Sequence, residues 1–188
     1  MAPLPALEDR TLRAAGARRR APGNPSTAHL VATLRGLAAE GPALVALFDA
    51  DAIGGERHLL SAWAHLGRSR SRGESRLRDR GAELALYVAG EDQLPRALAK
   101  VGVSDGTERF VLVAERPQEP EALLSRFELE LDPTAYPRPV SAGVLDRLGI
   151  SEAERSIVPP EGWEGLVLER VALVDLSPPA GRRPTPKH

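Results

Sequence analysis

Glu83–Glu115 reads ELALYVAGEDQLPRALAKVGVSDGTERFVLVAE, and it decides the fold. Leu84 to Ala89 and Phe110 to Ala114 are short apolar runs that end at charged or glycine positions. Each predicts a buried strand. Between them Leu94, Ala97, Leu98 and Val101 recur at helical spacing. Asp92 is placed to cap that helix, and Pro95 falls in its first turn, where a missing N–H costs little. Gly102 and the turn Ser104 to Gly106 stop it. The order is strand, helix, strand; if the two strands are neighbours in one sheet, they are parallel and the crossover is right-handed.

Working outward, Thr11 to Arg20 alternates poorly but can be an edge strand, and Ala21 to Thr27 (APGNPST) predicts a turn. Ser26 or Thr27 caps a helix whose apolar face is Leu30, Val31, Leu34, Leu37 and Ala38, stopped at Gly41. Ala43 to Ala50 predicts a buried strand. Gly54 and Gly55 open a second helix, with Leu59, Ala62, Trp63 and Leu66 as its stripe, ending near Gly67 or in the Arg–Ser run beyond. After the central stretch, Pro120 to Phe127 predicts a short helix and Leu129 to Arg138 a loop. Ala142 to Leu148 predicts another helix, and Ser151 caps a further one. From Gly165, LVLERVALVDL predicts a closing strand. The expected fold is α/β, a single domain over residues 11–176 with a small mixed central β-sheet and helices packed on it. Residues 1–10 are expected to fray and 177–188 to be a disordered tail.

The 188 residues suffice for one domain, and the net charge of −1 rules out a global basic field. There is no cysteine, hence no disulfide framework and no thiolate zinc site. No window approaches the roughly 18 consecutive apolar residues a membrane helix needs. We therefore expect a soluble, cytoplasmic protein that does not enter a membrane. Lys100 and Lys187 are the only lysines, so arginine carries the positive charge.

That charge is unevenly placed. Arg68, Arg70, Arg72, Arg76, Arg78 and Arg80 stand against Glu74 and Asp79, a surplus of four positive charges in one segment. Such a run beside a helix end can neutralise phosphates, or simply be a solvated basic loop. Asp49 and Asp51 close a strand, where a pair of carboxylates can hold Mg²⁺ and a nucleotide phosphate or merely form a turn. His58 and His65 stand seven apart on one helix, about 10 Å in rise, too far to share a metal. No phosphate-binding glycine loop, nucleophile elbow or metal-ligand cluster is present in the sequence, so catalytic and cofactor residues are expected to be none.

Two longer stretches carry a resemblance. FDADAIGGERHLLSA (Phe48–Ala62) is followed by RGESRLRDRGAELALYVAGEDQLPRALAKVGV (Arg72–Val103), and LVLERVALVDL comes near the end. In order and spacing these resemble the kinase-binding subunit family of the KEOPS (EKC) complex, the family of the PRPK-binding protein. The match covers residues 44–113 best and 166–176 less fully. The resemblance implies a non-enzymatic subunit of a complex that makes threonylcarbamoyl-adenosine in tRNA. It would dock on the atypical small kinase/ATPase subunit and help recruit tRNA by its single-stranded 3′ CCA end. The implied kinase-binding residues are Leu94, Leu98 and Val101. The implied RNA-binding residues are Arg57, His58, Arg70, Arg72, Ser75, Arg76 and Gln93. The chain departs from the family pattern at Asp92, where a basic residue is usual, and at Ser75, where asparagine is. An acidic residue there repels phosphate. A protein-only scaffold and a small Mg-dependent phosphate enzyme using Asp49 and Asp51 remain as alternatives.

Overall fold

The computed structural model describes residues 11–41 and 43–177. The start expected to fray, residues 1–10, and the tail expected to be disordered, beyond Ser177, lie outside the described residues. The fold is α/β, with four strands and eight helices among the described residues. The chain forms two compact units. One combines the segment ending at Asp51 with Val103–Pro139; the other combines Ala52–Gly102 with the segment from Val140 onward.

The first unit holds the whole sheet. β1 (Leu12–Arg19), β2 (Val45–Asp49), β3 (Arg109–Glu115) and β4 (Leu129–Leu131) lie in the order β2–β3–β1–β4. All three pairings are antiparallel, so the sheet is not mixed. β1 is paired on both sides and is no edge strand; β4, expected as loop, adds to it through Arg19↔Leu129. Helix α1 (Thr27–Glu40) begins as expected, with Ser26 Oγ accepting from His29 N at 3.3 Å. Its Leu30 and Leu37 meet Leu47, Phe110, Leu112, Phe127 and Leu129 in the core. Short helix α5 (Pro120–Leu123) precedes the turn that brings Phe127 in. Gly16 is required on β1, because a Cβ there would stand 2.3 Å from the backbone oxygen of Asp132.

The second unit is helical. It contains α2 (Glu56–Ser71), α3 (Arg80–Ala89), α4 (Leu94–Val101), α6 (Ala142–Leu148), α7 (Glu152–Ser156) and α8 (Trp163–Leu173). Two expected strands are therefore helices. Leu84 to Ala89 lies in α3, and the run after Gly165 lies in α8 and the 3-10 turn Val174–Leu176 that follows it, so the parallel strand–helix–strand unit does not exist. Asp79 caps α3, its carboxylate accepting from Ala82 N at 2.6 Å, and Gly90 ends it in the left-handed region at φ 65°. α4 and β3 stand where the sequence placed them, with Gln93 rather than Asp92 at the N-cap. The Ser151 cap is a full capping box with Glu154.

Candidate functional site

The basic segment joins α2 to α3 in the second unit. α2 runs through Gly67 into the Arg–Ser repeat and ends at Arg72, whose N–H donates to Arg68 O and Arg70 O. Gly73 turns at φ 70°, and Glu74 N closes the turn onto Ser69 O at 2.9 Å. The chain then doubles back to Asp79. A left-handed residue after the last helical turn satisfies free carbonyls, and this is why the helix can stop inside a run of arginines.

One buried carboxylate organises the turn. Glu83, in the first turn of α3, is fully buried. Its Oε2 accepts from Arg70 Nη1 and lies 3.0 Å from Ser75 Oγ; its Oε1 accepts from the backbone N of Arg76 at 2.6 Å. Arg70 Nη1 also reaches Ser75 Oγ at 2.9 Å and Leu77 O at 3.2 Å. Ser69 Oγ donates to Glu74 O at 2.9 Å. Arg76 Nη2 donates to Val174 O and Ser177 O, both at 2.6 Å, and ties the turn to the end of α8.

This divides the arginine run by function. Arg70 and Arg76 build the turn. Arg80 lies over the Trp63 ring, 5.4 Å from its centroid. Arg72 is exposed and donates from Nε to Glu74 at 2.7 Å; that partner holds its guanidinium pKa above the usual value. Arg68 and Arg78 are exposed, with no side-chain partner among the described residues.

The residues expected to touch RNA therefore separate. Arg72, Ser75 and Gln93 are exposed, although Ser75 is committed to Glu83. Arg70 and Arg76 are half-buried in the turn. Arg57 is exposed and paired with Glu164. His58 is a correction. It is fully buried, accepts from Gly54 N on Nδ1 at 3.0 Å, and has Nε2 2.8 Å from Val88 O. Burial pushes its pKa down to about 4, partly opposed by the Val88 carbonyl. With both nitrogens engaged inside the unit, the ring is a neutral staple between α2 and α3. His65 pairs with Asp175 at 2.7 Å.

The residues expected to dock a kinase also divide. Val101 is fully buried, together with Ala97, and fixes α4 within its own unit. Leu94 is half-buried and Leu98 is 49% exposed. Pro95 and Ala99 are exposed beside Leu98 at helical spacing, giving a small apolar ridge. Lys100 is turned inward, on Glu91 at 2.6 Å and Leu148 O at 3.0 Å.

Asp49 and Asp51, in the first unit, are engaged with protein. Buried Asp49 accepts from Asp51 N at 2.9 Å and from Thr107 Oγ1 at 3.2 Å, an Asx turn at the strand end. Asp51 accepts from Arg109 at 2.9 Å and Arg138 at 2.7 Å. No group of three or more candidate metal ligands occurs among the described residues. Nor, among them, is any helix long and apolar enough to cross a membrane.

No protein-family model matches the chain, and no curated protein matches it at a significant level. Glu83, the centre of the basic turn, was not singled out in the sequence. Its signal was present: a lone carboxylate heading an apolar run, four residues after a capping aspartate.

Proposed function

We propose that this chain is a non-catalytic subunit of a KEOPS-like complex that makes threonylcarbamoyl-adenosine in tRNA. It docks on the kinase/ATPase subunit through α4 and meets the tRNA 3′ end with the basic turn between α2 and α3. The observation that carries the docking half is Leu98, an exposed leucine flanked by Pro95 and Ala99 on a helix whose other face is buried. A protein interface needs such an apolar anchor with a polar rim. The resemblance over residues 44–113 supplies the identity of the partner.

The test is co-elution with the kinase subunit from the same source. Leu98→Glu is expected to weaken the complex about thirtyfold or more while the helical spectrum is kept. Undiminished co-elution of Leu98→Glu overturns the docking face. For the RNA half, tRNA with and without its CCA end is added to the complex. Arg72→Glu with Arg78→Glu is expected to weaken intact tRNA binding and to flatten its salt dependence by about one or two phosphate contacts. Equal binding of intact and truncated tRNA argues against recognition of the 3′ end.

A second reading, a scaffold that binds protein alone, is favoured by the inward commitment of Arg70 and Arg76 and the burial of His58. It keeps the α4 prediction and reverses the RNA one.

A further inference from the structure

We infer that Glu83 is the positioning residue of the basic turn, the group that holds Arg72 and Arg78 where an RNA phosphate would meet them. This rests on the reading of that turn as the RNA face. A carboxylate with no exposed surface is costly unless it is paired and hydrogen-bonded. Glu83 meets that condition only through the turn: a guanidinium from the last residues of α2, a serine hydroxyl from its middle and one backbone N–H. Both carboxylate oxygens are used, Oε2 by Arg70 and Ser75 and Oε1 by the N–H of Arg76, so both ends of the segment from Arg70 to Arg76 meet on one side chain. Opening the turn would strand a buried charge. Closing it fixes the path of the chain from Arg70 to Asp79.

The consequence is an indirect role. Glu83 touches no phosphate, and its negative charge is cancelled locally by Arg70. What it sets is the spacing of the outward arginines on either side of Arg76. Gln at this position keeps the shape but must turn an NH2 group toward either Arg70 and Ser75 or the Arg76 N–H. Donor then faces donor on one side, and that side opens.

The experiment compares the wild-type chain with Glu83→Gln, at a temperature well below unfolding, using a single-stranded RNA oligonucleotide ending in CCA and trypsin as probes. Glu83→Gln is expected to be cut after Arg72, Arg76 or Arg78 about tenfold faster, and to bind the oligonucleotide about tenfold more weakly, as loss of one charge-assisted bond predicts. Arg70→Gln is expected to do the same, and the double variant to be no worse than either single, because both remove one interaction. A pair that only stabilised the unit would also be non-additive in stability, but would leave affinity unchanged wherever the fold is intact. Wild-type affinity with wild-type cleavage in Glu83→Gln overturns the inference, as does additivity with Arg70→Gln. If Glu83→Gln does not fold, Arg70→Gln alone decides on the same two readouts. If the wild type binds no RNA, the functional reading fails, and the cleavage and coupling results still decide whether Glu83 sets the turn.

Discussion

His58 carries the clearest single-residue consequence. It is buried with Nε2 on Val88 O, and Nδ1 accepts from Gly54 N, so the neutral ring with its proton on Nε2 satisfies both neighbours. Burial lowers its pKa from 6.5 to about 4. In the unfolded chain the ring therefore takes a proton at a higher pH than in the folded one. Stability from this group is complete above about pH 6.5 and is lost as pH falls toward 4, to a total of about 3 kcal/mol. A ring-resonance titration by NMR is expected to leave His58 neutral at pH 5; a midpoint near 6.5 would refute the staple. His58→Phe is expected to cost stability at pH 7 yet to lose most of this pH dependence. The residue itself was legible and its role was not. A histidine next to a leucine pair on a helix shows nothing of whether the ring faces solvent or the next helix. That depends on α3, which the sequence had assigned to a strand.

At the scale of elements, the misreading of α3 has a clear cause. Glu83 to Ala89 is buried throughout, so no polar face marks the helical period, and a six-residue apolar run suits either structure. α1, α2 and α4 each keep an exposed face, and each was located correctly. The end signals were the better guide: Asp79 as N-cap and Gly90 ten residues on from Arg80 bound a helix of ordinary length. Gly90 makes this testable against Gly67. At Gly90 φ is 65°, and an added Cβ would stand 3.0 Å from Arg170 O. Gly90→Ala is expected to destabilise by about 1–2 kcal/mol or more. Gly67 lies inside α2 with nothing within 4 Å of such a Cβ, so Gly67→Ala is expected to stabilise by about 0.5–1 kcal/mol. Denaturant midpoints measure both, and the opposite signs are the point. Equal destabilisation by the two would mean that helix continuity, not the left-handed cap, governs these sites.

Across the whole chain, charge was easy to count and hard to place. Composition located the arginine surplus between Arg68 and Arg80, but which arginines face outward depends on Glu83 and on the carbonyls of Val174 and Ser177, distant in sequence. The same pairing of local count with remote partner decides how the molecule meets acid. Glu40 beside Arg126, Asp105 beside Thr27 and Asp132 beside Thr134 all have lowered pKa values, and all lie in the first unit. Carboxylates whose folded pKa is depressed add stability above their unfolded values, here 4.5 and 3.8, and lose it as pH falls through the lower folded ones. Among its described residues the second unit has one such group, Glu154 beside Ser151, but it also has His58, whose contribution begins to fail at 6.5. Acid should therefore reach the two units in sequence. Between pH 6.5 and 4.5, amide exchange corrected for its intrinsic pH dependence is expected to rise at Val88, Ala97 and their neighbours, while Phe110 to Ala114 keep their protection. Below 4.5 the strands follow. Loss of protection in the sheet first, or with no change of the helical unit until 4.5, would remove His58 as the acid-sensitive group.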